Sequence, residues 1–297
     1  MQATDVLSFG MGDIGALNRP VMLVGLEGWF DVANAATQAV NAFISADHAV
    51  IVGAIDPDPF YDFTQQRPHV TIDDDVREIV WPTNEFVLQR SKPADDGTPA
   101  QRDVVGLIGV EPHLNWRTYT DAIVTVAVAL RCEAVVTVGS AAEALPHTRT
   151  PPVTGSTATA DLASRLGLSQ PSYQGITGVA GVLNAELEAR GIPSISLRVG
   201  IPHYLMNAEH PMAVTALVRH LGHVLDVPTR EWMRGDISNQ VHSWRDVHDE
   251  IIANDDQLRM YVHMLEAEFD RRAEAQIPTA DDLGEQFEQF LKDHRDD

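Results

Sequence analysis

Over the first two-thirds of this chain, continuous apolar runs alternate with apolar residues at helical spacing. Val21-Met22-Leu23-Val24-Gly25-Leu26 contains no polar position, which suits a strand covered on both faces. The turn Glu27-Gly28-Trp29-Phe30-Asp31 follows, then helical spacing over 33–46 with Val40, Phe43 and Ile44 on one side. A second apolar strand, 49–55, closes at Asp56-Pro57-Asp58-Pro59. This strand–helix–strand order is a βαβ unit and predicts a parallel sheet.

Residues 60–92 break the pattern into short pieces, 76–81 and 86–89, separated by Pro and Asn, which predicts antiparallel or edge strands. Residues 92–102 are polar, with two prolines and a glycine, and predict a surface loop. Strands follow at 103–110, 133–139 and 194–199. Helices are predicted at 116–130, 158–166, 179–190 and 212–225. Beyond Pro228, Ile237, Val241, Trp244, His248, Ile251, Asp255, Leu258, Val262, Leu265 and Phe269 recur in alternating steps of four and three. Asn254-Asp255-Asp256 predicts a turn between two antiparallel helices, and Thr279 with Asp282 signals the start of a last helix over 279–291. The pattern divides the chain into an α/β core, 1–230, and a helical appendage, 231–297, packed on the core or on a neighbouring subunit.

Charge sharpens that division. The net charge is −22, and from Asp236 to Asp297 there are 17 Asp/Glu against 6 Lys/Arg. Such a surface repels phosphate backbones and acidic membranes, so neither nucleic acid nor membrane is an expected partner. The solitary Cys132 excludes an internal disulfide and suits a reducing compartment, hence a cytoplasmic location. The N-terminus lacks the charge and apolar run of a signal peptide, and no stretch is long and apolar enough for a membrane span.

Several common motifs fail on context. Gly10-Met11-Gly12-Asp13-Ile14-Gly15 precedes a strand rather than a helix, contrary to a dinucleotide site. There is no phosphate-binding Lys loop, no paired-His zinc helix and no nucleophile elbow around Ser140. Gly175-Ile176-Thr177-Gly178-Val179-Ala180-Gly181 could cradle an anion at a helix start or simply form a turn. No cofactor and no metal is expected.

Four polar segments remain, each after a predicted strand. They hold Glu27 and Asp31; Glu111-Pro112-His113 with Trp116-Arg117; Pro146-His147-Thr148-Arg149; and Pro202-His203-Tyr204. In an open parallel sheet the C-terminal strand ends share the edge where ligands bind. Glu27, Asp31, Glu111, Arg117, His147, Arg149, His203 and Tyr204 are therefore the ligand-binding candidates; none is assigned a catalytic role. Carboxylates, histidines and arginines gathered there could perform acid–base work or hold an anion. The same residues would serve equally in buried hydrogen bonds or at a subunit interface.

These segments also carry a resemblance. Gly109-Val110-Glu111-Pro112 with Trp116, Pro146-His147-Thr148-Arg149 with Pro152-Val153-Thr154-Gly155, and Val199-Gly200-Ile201-Pro202-His203-Tyr204 with Pro211 resemble the type-two proteasome assembly chaperone family. The ending Ile277-Pro278-Thr279-Ala280-Asp281-Asp282-Leu283 with Phe287-Glu288-Gln289-Phe290-Leu291 is similar to its actinobacterial branch. The likeness spans about residues 20–292. It implies a three-layer, phosphorylase/hydrolase-like α/β fold with a mostly parallel central sheet and a C-terminal helical appendage. It also implies self-association, a homotrimer in the bacterial branch, and a role in binding or assembling other proteins. Some relatives dock through a hydrophobic-Tyr-any C-terminal tail; His294-Arg295-Asp296-Asp297 lacks it, so docking of that kind is not expected. The alternative is a small-molecule binder or a hydrolase- or phosphorylase-like enzyme. That reading needs one pocket joining Glu27, Glu111, His147 and His203.

Overall fold

The computed structural model describes residues 1–10, 14–44, 49–73, 75–91, 102–227, 229 and 236–275. Residues 92–101 of the polar loop, the helix expected over 279–291, half of the Gly10–Gly15 string and the boundary near residue 230 lie outside them.

Eight strands form one sheet: β1 (Leu7–Phe9), β2 (Val21–Glu27), β3 (Ala49–Ile55), β6 (Asn84–Gln89), β7 (Val104–Val110), β8 (Ala134–Glu143), β9 (Val153–Ser156) and β10 (Ser194–Pro202). Their order across the sheet is β1-β3-β6-β7-β2-β8-β10-β9. The middle strands β7, β2, β8 and β10 are paired in parallel. Antiparallel pairing adds β6, β3 and β1 on one side and β9 on the other. The remaining pair, β4 (His69–Asp73) and β5 (Val76–Val80), forms a separate hairpin exposed at every position.

One strand lands elsewhere than its local order suggests. β3 runs in the direction of β2 but is not its neighbour, because β7 and β6 lie between them. The crossover through α1 (Ala35–Ala42) spans that gap, and β6, which returns antiparallel, fills it.

The continuous apolar runs follow from burial on both faces. Met22 and Val24 of β2 pack with α2 (Trp116–Ala129) and α4 (Val179–Ala189) in one layer. Val21 and Leu23 pack with α1 and α5 (Pro211–Leu225) in the other. Alternate residues thus serve opposite layers, the outcome a strand without polar positions requires. Cys132 sits against the α2/α4 layer, where burial pushes its thiol up to about 12, so it is inert.

α3 (Ala160–Leu166) bridges β9 and the glycine-rich segment. The appendage is a hairpin of α6 (Asp236–Ala253) and α7 (Asp256–Ala275). The break falls at Asn254-Asp255, where Asp255 Oδ1 accepts the Gln257 and Leu258 amides and caps α7. Val262 and Leu265 of the apolar stripe are buried, whereas Ile251 stays exposed.

Strand length positions the candidate segments. β2 and β7 end together, Glu27 opposite Val110. β8 and β10 stay paired as far as Glu143 opposite Pro202. Because Gly25 faces Val138, β8 runs three residues beyond the level of Glu27, about 10 Å at strand rise. The Pro-His segments stand on that extension, and the two carboxylate segments stay below it.

Candidate functional site

The four segments assemble into two separate places. The lower one is a cleft of about 1370 Å³ at the ends of β2 and β7. Glu27 and Glu111 lie in its wall, and Glu111 is tied to its neighbours through backbone amides. Glu111 Oε2 accepts the Trp29 N–H (3.1 Å), and Oε1 accepts the Val179 N–H (3.4 Å) at the start of α4. The carboxylate therefore occupies the helix N-terminus where a bound anion would otherwise sit. A side chain at Gly28 would collide with Glu111: its Cβ would lie 2.8 Å from Glu111 Cβ, and φ is +152°. The turn thus needs glycine to bring β2 against Glu111.

Beneath the cleft Asn84 is fully buried and joins three elements. Its Oδ1 accepts the Val110 N–H (3.1 Å) and the Tyr119 hydroxyl (2.8 Å), and its Nδ2 donates to the Tyr61 hydroxyl. The Tyr61 hydroxyl donates in turn to the Val110 carbonyl. Burial pushes Tyr61 up to about 12, so both tyrosines act as neutral donors. The rim is apolar. Trp29 is 86% exposed, Ile176 95% and Tyr173 76%, joined by Leu114 and Phe30.

Asp31 belongs to neither place. It is 4% exposed and accepts from Ala36 N–H (2.7 Å), Thr37 N–H (3.3 Å) and the Thr37 hydroxyl. It also accepts a long bond from the Ser140 hydroxyl. It caps α1 from a distance, and burial raises its carboxyl despite these bonds. Arg117 is exposed and lines a different, shallow depression beside Asp121 and Arg190.

The upper place is the joint between the core and the α6–α7 hairpin. Tyr204 hydroxyl accepts the His147 N–H (2.8 Å) and faces His147 Nδ1 (2.9 Å). The hydroxyl therefore donates to Nδ1, so Nε2 carries the proton and donates to Asp249 of α6 (3.3 Å). His203 takes the opposite tautomer: Nδ1 donates to the Glu143 carbonyl (3.2 Å), and Nε2 accepts from the Tyr261 hydroxyl of α7 (2.9 Å). Arg149 grips Asp270 with two bonds (3.0 and 2.8 Å) and reaches Glu266 (3.1 Å). The hydrogen bond from Arg149 holds the Asp270 carboxyl below its usual range. Trp244 of α6 stacks on His210 and His248, with ring centroids at 4.4 and 4.2 Å, and donates to the Glu209 carbonyl (2.8 Å).

His147, Arg149, His203 and Tyr204 thus bind this chain's own hairpin. Glu27 and Glu111 therefore line the cleft, whereas His147 and His203 stand in the joint with the hairpin, on the taller β8–β10 side. Trp29, Tyr173 and Ile176 were absent from the sequence-derived candidates, as were Trp244, His210 and Tyr261. A Trp-Phe pair within a polar turn was the available signal for the first group. An acceptor partner for the Pro-His loops was not visible in the apolar stripe. Among the described residues no His/Cys/Asp/Glu group could hold a metal ion, and no helix is long and apolar enough to cross a membrane.

The joint makes stability depend on pH. His210 is buried, its Nδ1 accepts the Ala213 N–H and caps α5, and burial holds its pKa at about 4. Unfolded, it titrates near 6.5. Between those values the unfolded chain binds the extra proton, so stability falls as pH drops from 6.5 towards 4. Burial lowers His147 in the same direction. The melting temperature is expected to fall through this window and to level off above it. His210→Asn, which keeps a capping acceptor, is expected to flatten part of the slope; an unchanged slope would exclude His210 as a source.

This architecture defines a class: three-layer α/β proteins whose parallel-centred sheet carries a C-terminal helical hairpin. The PAC2 family model matches residues 25–252. A PAC2 family protein from Streptomyces avermitilis is similar at 32% identity and TM-score 0.73, over 82% of this chain and 99% of that one. A proteasome-assembly chaperone homologue of Mycobacterium tuberculosis is similar at 34% identity and TM-score 0.71, over the same shares. An archaeal proteasome activator from Pyrococcus furiosus shares the fold at 16% identity and TM-score 0.60, over 84% and 98%. No curated protein matches the chain at a significant level. The chain belongs to the PAC2 family.

Proposed function

We propose that this chain is a cytoplasmic, oligomeric protein-binding factor of the proteasome-assembly-chaperone type, and that the cleft at Glu27 and Glu111 is its docking surface. In this reading 1–230 is the core, 231–297 is an appendage fixed to it, and self-association gives a homotrimer. The apolar collar carries the proposal: three large side chains, Trp29, Tyr173 and Ile176, stand in solvent around one cleft. Binding surfaces concentrate such side chains, and Trp and Tyr are the residues on which binding energy centres. The established relatives named for proteasome assembly lend the kind of partner. A tagged chain isolated from its native host is expected to bring down a defined protein, and Trp29→Ser with Ile176→Ser to lose it. Equal recovery by the variant would remove the cleft from the function. Light scattering of both proteins reports the oligomer separately.

A further inference from the structure

Resting on the docking role proposed for the cleft, we infer that its occupant is an extended segment of another protein that sets a Lys or Arg beside an aromatic or branched aliphatic side chain. The cleft wall carries Glu27, Asp62 and Glu111 and no Lys or Arg among its lining residues. Glu111 is satisfied by the Trp29 and Val179 amides, but its charge remains in the wall. Asp62 is held ionised, down at about 2, by hydrogen bonds from Thr64 and Gln65. Glu27 is exposed at the strand end, and no cation of the described residues pairs with it. A partner that closes this cleft removes Glu27 from water, which is costly unless the partner supplies a cation.

The collar sets the second half of the requirement. Trp29, Tyr173 and Ile176 offer apolar area that a purely hydrophilic basic tail would leave uncovered. An exposed indole such as Trp29 is also a surface on which a cation can rest. At about 1370 Å³ the cleft exceeds the usual range for small-molecule sites, roughly 300–1,000 Å³, and has room for several residues. The net charge of −22 attracts a basic segment and repels an acidic one before contact.

The test uses the full-length chain on an array of immobilised hexapeptides, followed by fluorescence anisotropy of the best binders and their Lys/Arg→Glu versions. Peptides with a basic residue next to Leu, Ile, Phe, Tyr or Trp are expected to dominate and to weaken with added salt. Glu27→Lys is expected to weaken them about tenfold, a change of about 1.4 kcal/mol. Equal binding of the Glu-substituted peptides, or no response to Glu27→Lys, would overturn the charge requirement. Binding that ignores charge yet is lost in Trp29→Ser would sink this inference and leave the docking role standing. A Trp29→Ser variant that dissociates to monomers in light scattering would overturn it too, by assigning the cleft to a second copy.

Discussion

Trp244→Ala frees the α6–α7 hairpin from the core while the sheet stays folded. Trp244 stacks on His210 of the core, meets the His147 ring edge-on and donates to the Glu209 carbonyl, so its loss removes packing against the core and a hydrogen bond together. Fully buried Trp truncations cost about 3–5 kcal/mol, and a half-buried one about 2–3 kcal/mol. What would remain includes Arg149 with Asp270 and Glu266, a half-buried cluster still open enough to solvent to contribute little in salt water. Amide exchange across 236–275 is expected to accelerate markedly in the variant, with β2, β7 and β8 unchanged. Unchanged protection of α6 and α7 would mean that the polar contacts alone hold the hairpin.

Asp31→Ala is the second large effect. The substitution strands two donors, the Ala36 and Thr37 amides, in a site 4% exposed, and leaves the Thr37 hydroxyl its longer bond to the Asn34 carbonyl (3.2 Å). A buried donor without a partner costs about 1–3 kcal/mol, so a loss of about 3 kcal/mol is expected. Thermal melts are expected to drop by about 6–10 °C. Asp31→Asn, which keeps one acceptor oxygen, should lose less. A neutral Asp31→Ala would show that solvent replaces the carboxylate.

The two effects mark what could be read from residue order and what could not. Strands such as Val21–Glu27 and helices such as Trp116–Ala129 were legible because burial on two faces and amphipathic spacing are written locally. The turn at Asn254-Asp255 was legible for the same reason: a carboxylate caps its own following helix. The neighbour of β3 was not, since pairing across a crossover depends on which later strand returns to fill the gap. Strand overhang was equally hidden. All four polar segments follow strands, yet β8 and β10 outlast β2 and β7, and that difference splits one imagined site into a cleft and a joint. His147 and His203 therefore looked like pocket residues because their partners, Asp249 and Tyr261, stand about 60 to 100 positions away in sequence, on the appendage.

Placing a photo-crosslinking side chain at Ile176, 95% exposed on the cleft rim, and in parallel at Met260, 73% exposed on α7, tests the central claim most directly. Irradiation in the native host is expected to join position 176 to a distinct second protein and position 260 to none, whereas adducts from 260 alone, or from neither position, would contradict the cleft as the working surface of this protein.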